Sequence, residues 1–505
     1  MIKLIYRIES DYMSKKRMLI VTSVTLSVVT ISLGIVKLYQ TYALSNYIGT
    51  VTDTGIDVYI NDDSYASIPA NGSSNVYYML TNTNPGTVKY GVAYQTTSGV
   101  TVKVYDTSED PATGTIEEND KKYIKLHLEN KNSTNKTIEL STVLGYENGG
   151  DLVVPSGVTL VTDTYTPPPT AAEYITKLYT TASKTTVTNN SITYNTAPSV
   201  SLMNDRLGGT TTDLDGGNIR YYGASPNNYI YFNCSDYSNQ TSSTCETWRI
   251  IGVFDGKLKL IRGSQIGTYS WDNKDTSTGA ESNFGKNDWT TARLMKLLNP
   301  SDYYTTDSND NNLGQGLYYN SASGKCYSGK NNATVDCNFT STGIKNDITR
   351  NMIAETTYNL GGWNSNTVYP NLMYEKERGT TVYTGRPTTP WTGKIALAYT
   401  SDYGYAADLN QCKDKTLYDY NNSTCTSNNW MKAIITNNGR NSGWLLTPYC
   451  STSSNVWYVY PVGNVYFNYT VYSAFGAVPV LSLSSELGIE SGGDGSSSNP
   501  YKLSA

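Results

Sequence analysis

Near the C-terminus, Tyr458, Tyr460, Asn464, Tyr466, Asn468, Thr470 and Tyr472 alternate with Trp457, Val459, Val465, Phe467, Tyr469 and Val471. Side chains of a strand point to opposite faces in turn, so a hairpin turning at "PVGN" would hold the second set inward and the first outward. The inward set suits a core. The outward set is a row of phenols, amides and one hydroxyl. These groups stack and hydrogen-bond, but none is a strong acid, base or nucleophile at neutral pH. Their chemistry is recognition: Tyr supplies contact area at low rotamer cost, and Asn and Thr adapt their hydrogen bonds to what arrives. An ordinary solvent-facing strand alternates in the same way, so the density of Tyr and Asn is what favours binding.

Bond-making chemistry finds fewer footholds. The chain has one histidine, His127, inside the alternating "YIKLHLEN". It reads as a strand residue, and without a second histidine no Ser-His-Asp triad, Cys-His dyad or His-rich metal site assembles around the C-terminal region. No phosphate-cradling glycine loop of the G-x-x-x-x-G-K-[ST] type occurs. Carboxylates are plentiful, yet nothing marks out a pair for glycoside hydrolysis. The expectation is a protein that is not an enzyme, with no cofactor and no metal.

The seven cysteines all lie in the C-terminal part. Cys234 and Cys245 are eleven positions apart, as are Cys326 and Cys337, while Cys412 and Cys425 are thirteen apart. Each pair sits among Asn, Ser, Thr and Gly and lacks the C-x-x-C spacing of a zinc site. Three disulfides closing local loops are expected, with Cys450 left over, and that pattern implies an oxidising exterior.

The elements that must position these residues begin with an anchor. Met18 to Val36 carries no charge over 19 residues, following Lys15, Lys16 and Arg17. At about 1.5 Å per residue this run spans roughly 28 Å, close to a bilayer core. The basic flank places the N-terminus in the cytoplasm and the remainder outside, a single-pass cell-membrane protein. Ala43 and Ser45 also fit a cleavage site, which would make the chain secreted. A formal net charge of -5 with 16% charged residues gives no reason to expect a nucleic-acid partner.

At 505 residues the chain needs more than one core. Residues 1–45 read as tail and anchor. Residues 46–164 hold short alternating strands, among them "NVYYMLTN", "VKYGVAYQ", "VTVKVYD" and "KYIKLHLE", with polar turns between; an all-β sandwich of immunoglobulin-like size is predicted. "TDTYTPPPT" is a stiff extended spacer. Residues 165–198 are expected to be this linker, a short amphipathic helix at Ala171 to Ala182 and a loose connection. Residues 199–505 mix strands, including a hairpin turned at Asp255-Gly256, with helices predicted over Asn287 to Pro300 and Thr349 to Trp363, giving an α+β domain with long stapled loops.

The C-terminal run contains "GWLLTP" at Gly443 to Pro448, a Ser/Asn loop, Trp-Tyr-Val, a glycine turn, alternating Asn and Tyr, and "FGAVPVLSL". This order resembles the C-terminal signature of a bacterial family similar in fold to C-type lectins and formylglycine-generating enzymes. The family includes the variable proteins of diversity-generating retroelements. The resemblance covers Asn218 to Leu503. It implies a C-type-lectin-like domain, and a sheet face with exchangeable Asn, Tyr and Ser positions that bind a ligand. The formylglycine-generating enzymes use paired cysteines with copper; here the paired cysteines are expected as loop staples, and that chemistry is not carried over.

The resulting expectation is a cell-surface adhesion or recognition protein with a protein or glycan ligand. Its alternatives are a structural envelope protein whose Tyr/Asn face packs against neighbouring copies, and a surface hydrolase with unrecognised carboxylates.

Overall fold

The computed structural model describes residues 65–82, 86–146, 152–273, 284–305, 313–329, 333–365, 367–383 and 386–504. The apolar run Met18 to Val36 lies outside them. Among the described residues no helix is long and apolar enough to cross a membrane. The chain is β-rich and divides into two compact units, with the break between Pro168 and Pro169.

The first unit is two sheets across one core. One sheet orders Tyr65–Ile68, Lys136–Tyr146, Val88–Gln95 and Thr113–Ile116, with Val158–Leu160 also paired to Val88–Gln95. The other orders Gly72–Thr81, Lys121–Asn130, Val100–Tyr105 and Thr164–Tyr165. Alternation explains the packing. Ile124, Leu126 and Leu128 point inward from one sheet and meet Val92, Ile138 and Leu140 from the other. His127 points the other way. Tyr165 covers it, ring on ring with centroids 3.6 Å apart.

The second unit is built on a nine-stranded sheet. Thr185–Asn189 and Ile192–Ala197 form its first hairpin, followed in space by Leu202–Asn204, Ile219–Tyr221, Glu246–Phe254, Lys257–Arg262, Val480–Ser482 and Ile395–Ala396. Tyr229–Phe232 also pairs with Glu246–Phe254. The loose connection expected up to residue 198 is therefore corrected: that stretch supplies two sheet strands. The helix Ala171–Thr181 begins with the Thr170/Glu173 capping box and buries Ile175 and Tyr179 in the same core. Asp255 and Gly256 both take positive φ, 48° and 70°, as a two-residue hairpin turn demands.

Two predicted helices are shorter than expected. Over Asn287 to Pro300 only Arg293–Leu298 is helical. Asn287 does not cap it; its amide instead donates to the carbonyls of Tyr449, Thr452 and Asn455. Over Thr349 to Trp363 the helix is Asp347–Met352, and Thr356–Tyr358 is a strand paired with Trp391–Gly393. The three expected disulfides form, Cys234–Cys245, Cys326–Cys337 and Cys412–Cys425, with Cys450 free.

Candidate functional site

A smaller five-stranded sheet carries the tyrosine-rich hairpin, in the order Thr268–Tyr269, Phe475–Gly476, Gly443–Pro448, Val456–Val459 and Val465–Tyr466. Tyr458 stands opposite Tyr466 and Val459 opposite Val465. The turn between them uses Gly463 at φ 107°, a conformation that L side chains rarely adopt. Alternation holds along the hairpin. Trp457, Val459 and Val465 enter a core with Leu445 and Trp430, and Phe467 packs on that core against Tyr449 and Trp457. Tyr458 points the opposite way with Trp444 and Val471, and Tyr466 and Phe475 pack on that core.

The opposite face is a second core, which corrects the outward assignment of two residues. Tyr458 is 1% exposed and Asn464 2%. Phe475 covers Tyr458 with ring centroids 5.0 Å apart, and the Tyr458 hydroxyl donates to Oδ1 of Asn468. The expected long return strand also ends at Tyr466. Beyond it the Asn455 amide takes the Phe467 carbonyl, and the Val471 amide donates to the Ser454 carbonyl. This path buries Val471 and turns Tyr469, expected inside, outward to 46% exposure. Of the expected outward set, Tyr460 and Asn468 are exposed, while Tyr466, Thr470 and Tyr472 are half-buried.

What reaches the surface is a recomposed aromatic group. Tyr466 lies edge to face with Tyr460, centroids 5.8 Å apart, and with Tyr418, 5.1 Å apart. Tyr418 comes from inside the loop closed by Cys412–Cys425, whose Leu417 and Tyr420 are buried beneath it. Tyr469 packs against Tyr458 and Phe475 at 5.6 and 5.2 Å. Tyr472 stacks on Phe284 at 6.0 Å. Tyr418 lies outside the alternation pattern, and Tyr469 stands on its inward side. The sequence signal for Tyr418 was its position in a stapled loop.

The surroundings raise two of the phenols, Tyr458 and Tyr418. Burial holds the Tyr458 hydroxyl well above the ordinary tyrosine range, helped by Tyr469, Tyr466 and Tyr460. The Tyr466 hydroxyl, 3.3 Å away, raises that of Tyr418. Protonated phenols donate and accept hydrogen bonds and offer π faces, but they attack nothing at neutral pH.

The charged clusters of this unit lie in the interior. Arg220 bonds Asp205 at 2.6 Å and Asp402 at 2.8 Å, and Lys259 shares Asp402. Glu377 accepts from Thr447 at 2.7 Å and from the Ser401 hydroxyl and amide. These side chains pair with one another and tie helices to sheets, with Nη2 of Arg220 left without a hydrogen-bond partner among the described residues. Among the described residues no group of three or more His, Cys, Asp and Glu is placed to hold a metal. No family model, curated protein or solved structure matches this chain.

Proposed function

We propose that this is a cell-surface recognition protein whose C-terminal unit binds a protein or glycan ligand through the aromatic surface of Tyr418, Tyr460, Tyr466, Asn468 and Tyr469. In this reading Met18 to Val36 is the membrane anchor and the immunoglobulin-like sandwich is a spacer. The C-terminal unit is C-type-lectin-like, a reading that rests on the "GWLLTP" and "FGAVPVLSL" signatures.

The observation that carries the proposal is the packing of Tyr460, Tyr466 and Tyr418 at the open edge of a two-core sheet. Rings held by neighbours lose little freedom on binding, so contact area converts to affinity with a small entropic cost. A disulfide-closed loop holds one ring and a sheet strand the next, so the surface is organised before a ligand arrives.

The test is a protein and glycan array probed with the purified full chain, followed by Tyr460→Ala and Tyr469→Ala. The expected outcome is a reproducible ligand whose binding falls at least tenfold in the double variant while the melting temperature holds. A ligand indifferent to both substitutions overturns the assignment of the surface. Concentration-dependent self-association abolished by the same substitutions would instead support the envelope-protein alternative.

A further inference from the structure

A separate cleft of about 580 Å3 opens in the C-terminal unit beside the strand Glu246–Phe254 and the helix Trp430–Ile435. Its volume falls in the range of about 300–1,000 Å3 common to small-molecule sites. Thr247, Arg249, Arg262, Ser264, Trp430 and Asn438 contribute to its wall. It shares no residue with the aromatic surface.

The two arginines differ in one respect. Arg262 is neutralised: its Nε and Nη2 each meet a Glu246 carboxylate oxygen at 3.0 Å, and its Nη1 donates to Ser264 Oγ at 2.8 Å. Arg249 has no carboxylate within ion-pair distance among the described residues, although only 6% of it is exposed. Its Nε donates to Asn228 Oδ1 at 2.5 Å and its Nη2 to the Pro226 carbonyl at 3.3 Å. Its guanidinium lies over the Tyr229 ring at 3.6 Å and the Trp430 ring at 4.9 Å. Nη1 has no hydrogen-bond partner among the described residues, and Arg249 lines the cleft.

This arrangement is fixed from behind. Asn228 is fully buried and donates its own amide to the Ile250 carbonyl at 2.7 Å, which orients its oxygen toward Arg249. Trp430 is anchored by its indole N–H to the Tyr221 carbonyl at 3.0 Å. Burying a cation without a counter-charge is unfavourable, and ring faces offset only part of that. Burial accordingly pushes the guanidinium down to about 10, a shift that Tyr229 opposes. An incoming anion would restore the missing charge.

We propose that this cleft binds a carboxylated monosaccharide, with the carboxylate seated on Arg249. A planar carboxylate matches the guanidinium fork better than a point anion does. The Tyr229 and Trp430 rings flank the guanidinium and hold its plane, with Trp430 itself buried. The Thr247 and Ser264 hydroxyls and the Asn438 amide suit the hydroxyls of a sugar.

The test uses the purified full chain and three probes in ligand-observed NMR titrations: sodium D-glucuronate, D-glucose and sodium acetate. Glucuronate is expected to bind at least tenfold tighter than either of the others. Arg249→Lys, which keeps the charge and loses the fork, is expected to weaken it tenfold or more. Thr247→Ala and Asn438→Gly, the latter keeping the positive φ of 56° accessible, are expected to weaken it two- to fivefold with no change in melting temperature. Glucuronate binding no tighter than acetate, or no tighter than glucose, overturns the proposal. So does full affinity in Arg249→Lys. If Arg249→Lys does not fold, the two rim variants decide: unchanged glucuronate affinity in both overturns it. A failure here leaves the array result on the aromatic surface untouched, because the substituted residues differ.

Discussion

Tyr418 and Tyr466 are 48 positions apart in sequence and meet edge to face, with ring centroids 5.1 Å and hydroxyls 3.3 Å apart. The contact joins a disulfide-closed loop to the last strand of the small sheet. Edge-to-face pairs are worth about 0.5–1.5 kcal/mol beyond area burial. A double-mutant cycle with Tyr418→Ala and Tyr466→Ala in urea unfolding is expected to return a coupling of about 0.5–1 kcal/mol. Strictly additive costs would mean that loop and sheet edge do not support one another.

Tyr458 belongs to the interior although its neighbours in the pattern reach the surface. Tyr458→Ala removes a fully buried ring and is expected to cost about 3–5 kcal/mol. Tyr458→Phe keeps the ring and loses the bond to Asn468, at about 1 kcal/mol. Tyr460→Ala, at 41% exposure, is expected to stay within about 0.5 kcal/mol of the parent. Equal costs for the two alanine variants, read from denaturant midpoints, would contradict the two-core sheet.

Asp402 is the centre of the buried ionic network. Burial alone would raise its pKa, but Lys259 and Arg220 override that and hold it at about 2. Its contribution to stability is therefore complete above the ordinary carboxylate value of 3.8 and is lost as pH falls through about 2. Asp402→Asn strands the buried Lys259 and leaves Arg220 with Asp205 alone, and is expected to cost about 3–5 kcal/mol at pH 7. The gap between variant and parent should narrow between pH 4 and pH 2, roughly the interval separating the two pKa values. Urea unfolding across that interval checks both statements.

His127 gives the first unit a pH dependence of the same sign in a higher pH range. Burial lowers its pKa below 6.5, Lys103 adds to that, and Glu129 opposes it. Asn75 bonds Nδ1 at 2.7 Å, and the rings of Tyr105 and Tyr165 enclose the imidazole. The unfolded chain takes the proton more readily than the folded one. The stabilising contribution is thus full above pH 6.5 and is lost as pH falls below that value. The melting transition of this unit in the full chain should drop between about pH 7.5 and 5.5, and His127→Gln should flatten that slope.

Cys450 is the one unpaired cysteine, and burial pushes its thiol up to about 11 against the pull of Arg386. Thiol titration of native protein at neutral pH should be slow. Unfolding without a reductant should release one thiol per chain. Three or more would contradict the disulfide pairing.

Local pattern carried much of the fold. Val88–Gln95 is the strand that its alternation predicts, and Asp255-Gly256 turns the hairpin that the pair predicts. Both are decided by nearest neighbours, through side-chain period and tolerated φ. The long helix predicted at Asn287 fails for a non-local reason: its first residue is recruited by the 449–455 loop and by Arg386. A helical period is compatible with that outcome but does not reveal it.

The same division runs through the candidate surface. By itself the sequence determined which side chains share a face from Trp457 to Phe467 and which turn joins the strands, because these depend on pleat and backbone conformation, and its cysteine spacing led to the expectation of three local disulfides. Only the tertiary structure decided that both faces of the hairpin are covered, that Tyr458 is interior, and that Tyr418 and Tyr469 complete the exposed group. Period-two alternation sorts side chains into two sets. Whether water or another layer of protein meets each set depends on segments that arrive from far along the chain, here Phe475 and the loop closed by Cys412 and Cys425.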